Sequence, residues 1–140
     1  MTKRKPTSKY AQIHYSEWHT TFTPIAIDYG CETLAVYFYL LSNPARNMTG
    51  IYKFNFKHAA ADLDLDLKDL EGCLGNLLES GWIEYDSETR EIFVKDMLRT
   101  QANNVRPDSS DNRVQHVENW LYSVESESLL KSFVQHNGWE

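Results

Sequence analysis

"LLESGWIEYDSETREIFVKD" occupies residues 77–96 and passes from a helical pattern to an alternating one. Leu77 and Leu78 close a helical apolar pattern. Gly81 follows, and a glycine just past a helix supplies the left-handed residue that ends it. "WIEY" and "EIFVK" then read as two strands around a polar tip at residues 86–90. A helix that stops on glycine and passes straight into a hairpin is the second half of an arrangement whose first half lies upstream.

Working back, "LKDLEGCLGNLLES" sets Leu67, Leu70, Leu74, Leu77 and Leu78 on one side of that helix. Asp66 is placed to N-cap it, with Asp69 near its positive end. The three residues "DLD" separate it from a short alanine-rich helix, "KHAAADL". Before that, Gly50 opens a strand in which Tyr52, Phe54 and Phe56 share a face. Leu34, Tyr37, Phe38 and Leu41 recur at helical spacing and mark a helix over residues 32–41, ended by Asn43-Pro44. Residues 10–15 alternate weakly as a short strand. "SEWHTTF" reads as one helical turn capped by Ser16, with Trp18 turned inward.

Downstream, residues 99–112 are linker-like. Two helical segments close the chain, one with Val114, Val117, Trp120, Leu121 and Val124 at helical spacing, the other stopped by Gly138. The order is helix, strand, helix, turn, helix, strand, strand and a helical tail. That predicts an α+β fold: a winged helix-turn-helix whose first strand pairs with the hairpin in a small antiparallel sheet, with a C-terminal helical extension. The predicted organisation is a flexible basic tail at 1–9, a winged-helix domain at 10–99, a linker at 100–112 and the extension at 113–140.

The stretches "LAVYFYLLSNPARNMTGIYKF" and "LKDLEGCLGNLLESGWIEYDSETREIFVKDMLRTQANN" resemble the N-terminal winged-helix domain of bacteriophage replication proteins of the replisome-organiser or initiator type. The likeness lies in the helix, Asn/Pro turn and "GIY" strand, in "LLESGWIEYD", and in "VKDMLRTQANN" as second wing strand and exit. The resemblance implies a phage or prophage origin, DNA binding at an origin of replication, and recruitment of a helicase or its loader.

Charge pulls against the DNA part of that expectation. The chain of 140 residues has a formal net charge of −6. Residues 62–91 carry 10 Asp/Glu against 2 Lys/Arg, and residues 1–61 carry 7 Lys/Arg against 3 Asp/Glu. Duplex affinity rests mainly on neutralising phosphates. For DNA the residues to bind are Lys3, Arg4, Lys5 and Lys9 in the tail, Lys53 and Lys57 around the first strand, Lys68 and Asn76 on the recognition-type helix, and Arg90 and Lys95 on the wing. The alternative is an acidic protein-interaction module, an adaptor or a DNA mimic, that meets a replication or host-defence protein through Asp69, Glu71, Glu79, Trp82, Glu84, Asp86 and Glu88. Gly72 and Gly75 open one side of the same helix to close approach, or pack against the neighbouring helix. Trp120 and its neighbours pack on the body or form a homodimer or partner interface.

No catalytic or cofactor site is expected. "DLDLDLKDLEGC" has the first ligand positions of a calcium loop, but Leu67 stands where glycine belongs and Cys73 where glutamate belongs. His14, Glu17 and His19 lack metal-site spacing. Cys31 and Cys73 read as two buried small hydrophobes of a reducing compartment. The longest apolar run, "LAVYFYLL", has 8 residues, whereas a span needs about 20. A cytoplasmic protein of a bacterial host is the expectation, and for such a chain the Asn47 sequon carries no meaning.

Overall fold

The computed structural model describes residues 10–139. The tail cations Lys3, Arg4, Lys5 and Lys9 lie outside them. Residues 10–14 form no strand. A π-helical turn, Trp18–Phe22, runs directly into α1 (Thr23–Tyr29), which carries Pro24 in its first turn. Ser16 does not cap the turn, and Trp18 is half-exposed, lying edge-on to Phe22 at 5.2 Å between ring centres. After Gly30 comes α2 (Cys31–Ser42). Then follow β1 (Ile51–Lys53), α3 (Phe56–Leu63), α4 (Leu67–Glu79), β2 (Ile83–Asp86), β3 (Glu91–Val94), α5 (Met97–Ala102), α6 (Arg113–Tyr122) and α7 (Glu127–Asn137). The fold is α+β, with seven α-helices and one three-stranded antiparallel sheet among the described residues. None of these helices is long and apolar enough to cross a membrane.

The strand order is β1-β3-β2, with Ile51 opposite Phe93 and Ile83 opposite Val94. Alternation sends Tyr52, Ile83, Ile92 and Val94 to one face, where they join Val36, Tyr37, Leu40, Leu70 and Leu77 in the main core. Ile51 and Phe93 point the other way. They meet Leu98, Val105, Val117, Leu129 and Phe133 in a second core built by the C-terminal helices. β3 is therefore buried along its whole length, as a strand covered on both faces must be.

Three local expectations give way to packing. Phe56 is not in the first strand; it begins α3, where the Asn55 side chain caps the helix by accepting the His58 N–H at 2.9 Å. Leu67 and Leu78 stay exposed, because the buried stripe of α4 runs through Leu70, Cys73, Leu74 and Leu77. The segment expected as a linker starts inside α5, with Thr100, Ala102 and Val105 buried. Cys73 is buried but Cys31 is exposed.

The C-terminal helices are fastened by polar contacts as well as by Phe93 and Phe133. Glu91 is only 3% exposed. Its carboxylate accepts the backbone N–H groups of Ser126 at 2.8 Å and Glu125 at 3.1 Å, at the positive end of α7. At the other end of the chain, Glu17 pairs with Arg99, which also meets Asp96 at 2.9 Å. Burial pushes the Glu17 carboxyl up, but Arg99 and the Thr21 hydroxyl outweigh it, and the net shift is downward.

Candidate functional site

The junction of α4 and the hairpin is built as residues 77–82 foretell. Gly81 has φ +85°. Its N–H donates to Leu78 O at 3.2 Å, and the Trp82 N–H donates to Leu77 O at 3.0 Å. This pair of bonds satisfies the last carbonyls of the helix and turns the chain into β2. Trp82 consequently drops toward the core, its ring edge-on to Tyr37 at 6.2 Å. Asp66 does stand at the N-cap of α4, but its side chain makes no capping bond.

The exposed side of α4 carries Lys68, Asp69, Glu71, Gly72, Gly75 and Glu79. Asp69, Glu71 and Glu79 enter no ion pair among the described residues. Glu79 lies in the last turn, where the helix dipole disfavours a carboxylate and no basic residue compensates. Glu32 of α2 adds to the field, since its carboxylate accepts from the Cys73 thiol at 3.7 Å. Burial pushes that thiol's pKa up, and the Glu32 and Asp69 charges push it further in the same direction.

The glycines do not serve internal packing. A Cβ added at Gly72 or Gly75 would meet nothing within 4 Å, and neither residue has positive φ. Each therefore lowers helix stability by about 0.8–1 kcal/mol relative to alanine with no visible return inside the chain.

Gly75 borders a cleft of about 180 Å3 between α4 and the sheet. Its buried members are Phe54, Leu74, Ile83 and Ile92, with Phe56, Tyr85 and exposed Leu78 around them. Phe56 stands edge-on to Phe54 at 5.3 Å and to Tyr85 at 5.4 Å, so the walls are set by interlocked rings. Glu71 and Tyr85 are the lining residues that carry polar side-chain groups. The volume is of the size that holds one aromatic ring.

No family model matches this chain, and neither a curated protein nor a solved structure matches it.

The cations expected to meet DNA are placed unevenly. Lys53 pairs with Glu125 at 2.9 Å and donates to Thr89 O. Lys95 pairs with Glu84 at 3.1 Å. Asn76 is half-buried and donates to Thr33 Oγ1 at 3.2 Å, tying α4 to α2. Lys57, Lys68 and Arg90 are exposed and enter no ion pair among the described residues.

The acids divide as well. Besides Lys95, Glu84 holds Ser132 at 2.7 Å. Asp86 accepts from the Ser126 hydroxyl and the Glu88 N–H, and these bonds, led by the Ser126 hydroxyl, hold its carboxyl below the usual range. Glu84 and Asp86 therefore fasten the hairpin to α7, while Asp69, Glu71, Glu79 and Glu88 face outward.

Sequence reasoning named the acids of α4 and both glycines, but not the cleft. The available sign was Gly75 inside a strong helical pattern, one turn from a leucine that packing does not bury.

Proposed function

We propose that this chain is a winged-helix protein of the phage replication type that docks a basic surface of a replication or host protein through its α4 face. The order α2, β1, α3, α4, β2, β3 with strands arranged β1-β3-β2 supports the winged-helix reading. α4 is then the recognition-type helix and the β2–β3 hairpin the wing.

The observation that carries the docking reading is a contrast in charge use. Lys53 and Lys95 pair with Glu125 and Glu84, while Asp69, Glu71 and Glu79, on the helix that would enter a groove, enter no ion pair among the described residues. Placing α4 in the major groove would bring three carboxylates toward phosphates with Lys68 as their one basic neighbour on that face. Duplex binding draws its free energy from counterion release by cations, so this geometry opposes it. A basic protein surface meets the opposite potential, and complementary fields of this kind speed and orient docking. The reading assigns the chain no catalysis, and hydrolysis of ATP or nucleic acid by the pure protein would overturn that.

The test is fluorescence anisotropy with a short DNA duplex and with a lysine-rich peptide at low salt. The wild type is expected to hold the peptide and leave the duplex largely free. Reversing Asp69, Glu71 and Glu79 to lysine should exchange the two preferences. Tight duplex binding by the wild type, lost on Lys68→Ala, would sink the reading.

A second reading, duplex DNA, is favoured by Lys57, Lys68 and Arg90, which remain exposed and unpaired by acids among the described residues. The β1–α3 junction and the hairpin tip are joined by the Phe54 N–H to Arg90 O bond of 2.9 Å, which puts Lys57 and Arg90 at one end of the sheet. A duplex affinity that falls steeply with salt, and less steeply after Lys57→Ala and Arg90→Ala, is its signature.

A further inference from the structure

We infer that the cleft between α4 and the wing takes one large apolar side chain, leucine to tryptophan in size, from a basic segment of the docked protein. This rests on the docking reading above and assigns it a site. Three features converge on the cleft.

Its lining is almost wholly apolar, and its bottom is preformed by Leu74, Ile83 and Ile92, which are buried whether or not it is filled. Gly75 borders it, and among the described residues nothing lies within 4 Å of where a Cβ would stand. Glu71 and Glu79 lie four residues before and after Gly75, so the three residues share one stripe of the helix. An apolar anchor entering beside Gly75 is thereby flanked on both sides by carboxylates. Lysine or arginine residues of the same segment would meet them.

The arrangement also discriminates among occupants. The cleft offers a nucleic-acid base few polar partners, and its acidic rim repels phosphate. A second copy of this chain, approaching by the same face, would set one acidic block of residues 62–91 against another. A small polar metabolite would find few groups to fix its orientation. Burying one large side chain between unburied charges is instead the usual energetic centre of a protein interface, an anchor with a polar rim. The unused glycine space and the dipole-opposed Glu79 are concessions in α4 stability that such a contact explains.

The experiment is a selection of random short peptides displayed on phage against the full chain, with the recovered peptides assayed on variants. Expected are sequences with one Leu, Phe or Trp flanked by Lys or Arg. Their binding should fall roughly tenfold or more on Gly75→Trp, which fills the cleft, and on Glu71→Lys/Glu79→Lys. Circular dichroism establishes that each variant is folded. Leu78→Ala, at an exposed wall position, should weaken the same peptides even if Gly75→Trp fails to fold. Basic peptides without an anchor, binding Gly75→Trp and Leu78→Ala as well as the wild type but lost on charge reversal, would overturn the cleft assignment and leave the docking reading standing. Recovery of peptides indifferent to both kinds of variant, or of none at all, would overturn both.

Discussion

Replacing Gly72 and Gly75 together by alanine is expected to stabilise the chain. Both residues are exposed on α4, both have ordinary helical φ, and a Cβ at either position meets nothing within 4 Å. No steric term therefore opposes the gain in helix propensity, which is about 0.8–1 kcal/mol per site. Neither new methyl meets another side chain, so summing the two propensity terms gives about 1.8 kcal/mol. For 140 residues, an unfolding entropy of about 2.1 cal/mol/K per residue gives about 0.3 kcal/mol/K, and the expected rise in Tm is about 6 °C. Thermal unfolding followed by circular dichroism measures it, with urea titration as a check that the m-value is unchanged. A Tm that stays put or falls for either single substitution would refute the reasoning, because it would mean that something in the folded chain already occupies the space. The same Gly75→Ala variant should bind partner peptides more weakly, so that stability rises as binding falls.

Other substitutions test the framework around the site. Glu91→Ala removes the carboxylate that holds the Ser126 and Glu125 N–H groups; it should cost about 3 kcal/mol and loosen α7, seen as increased amide exchange over residues 127–137. Gly50→Ala should cost at least about 3 kcal/mol in urea unfolding, because Gly50 has φ +84° and a new Cβ would collide with the Val94 carbonyl oxygen and lie 2.9 Å from Met97 Cβ. Acid titration should expose the Glu17–Arg99 pair. The Glu17 carboxyl is held below its ordinary value of 4.5, so its contribution is present above that pH and is lost as pH falls through the lowered folded value. Glu17→Gln should therefore flatten the stability curve below pH 4.5 and leave its neutral-pH shape alone.

Much of the architecture is written in local pattern. Gly81 marks the end of α4 because a left-handed residue is needed there, and the short alanine-rich run and its three-residue connection announce α3 and the turn. The hairpin follows from alternation around a polar tip, and its pairing with β1 follows from order alone. The elements that were not legible lack a local signature. α1 is too short to show a stripe and begins at a π-helical turn rich in threonine. α5 is concealed by the polar residues around it, and its burial depends on α6 and α7 folding back. Glu91, among the charges of the hairpin, carries no local sign of burial. Only the return of α7 onto the sheet makes it a buried cap.

The candidate site divides along the same line. The acids and glycines of α4 are visible as a pattern, because exposed positions of one helix follow from its period. Which lysines remain free is not visible, since Lys53 and Lys95 find their partners across 72 positions of sequence in one case and through the sheet in the other. The cleft is less visible still. It exists because Phe54 of the β1–α3 connection, Phe56 of α3 and Tyr85 of β2 close around the space that Gly75 leaves.

The most direct test of the docking reading is a residue-resolved map of amide shifts for the nitrogen-labelled chain, titrated separately with a lysine-rich peptide carrying one tryptophan and with a short DNA duplex. The peptide is expected to move residues 69–79 and the Ile83–Tyr85 side of the cleft in a saturable way, and the duplex to leave α4 unmoved, touching at most the Lys57 and Arg90 edge. Saturable shifts of Lys68, Gly72 and Asn76 with the duplex, and none on α4 with the peptide, would contradict the docking reading.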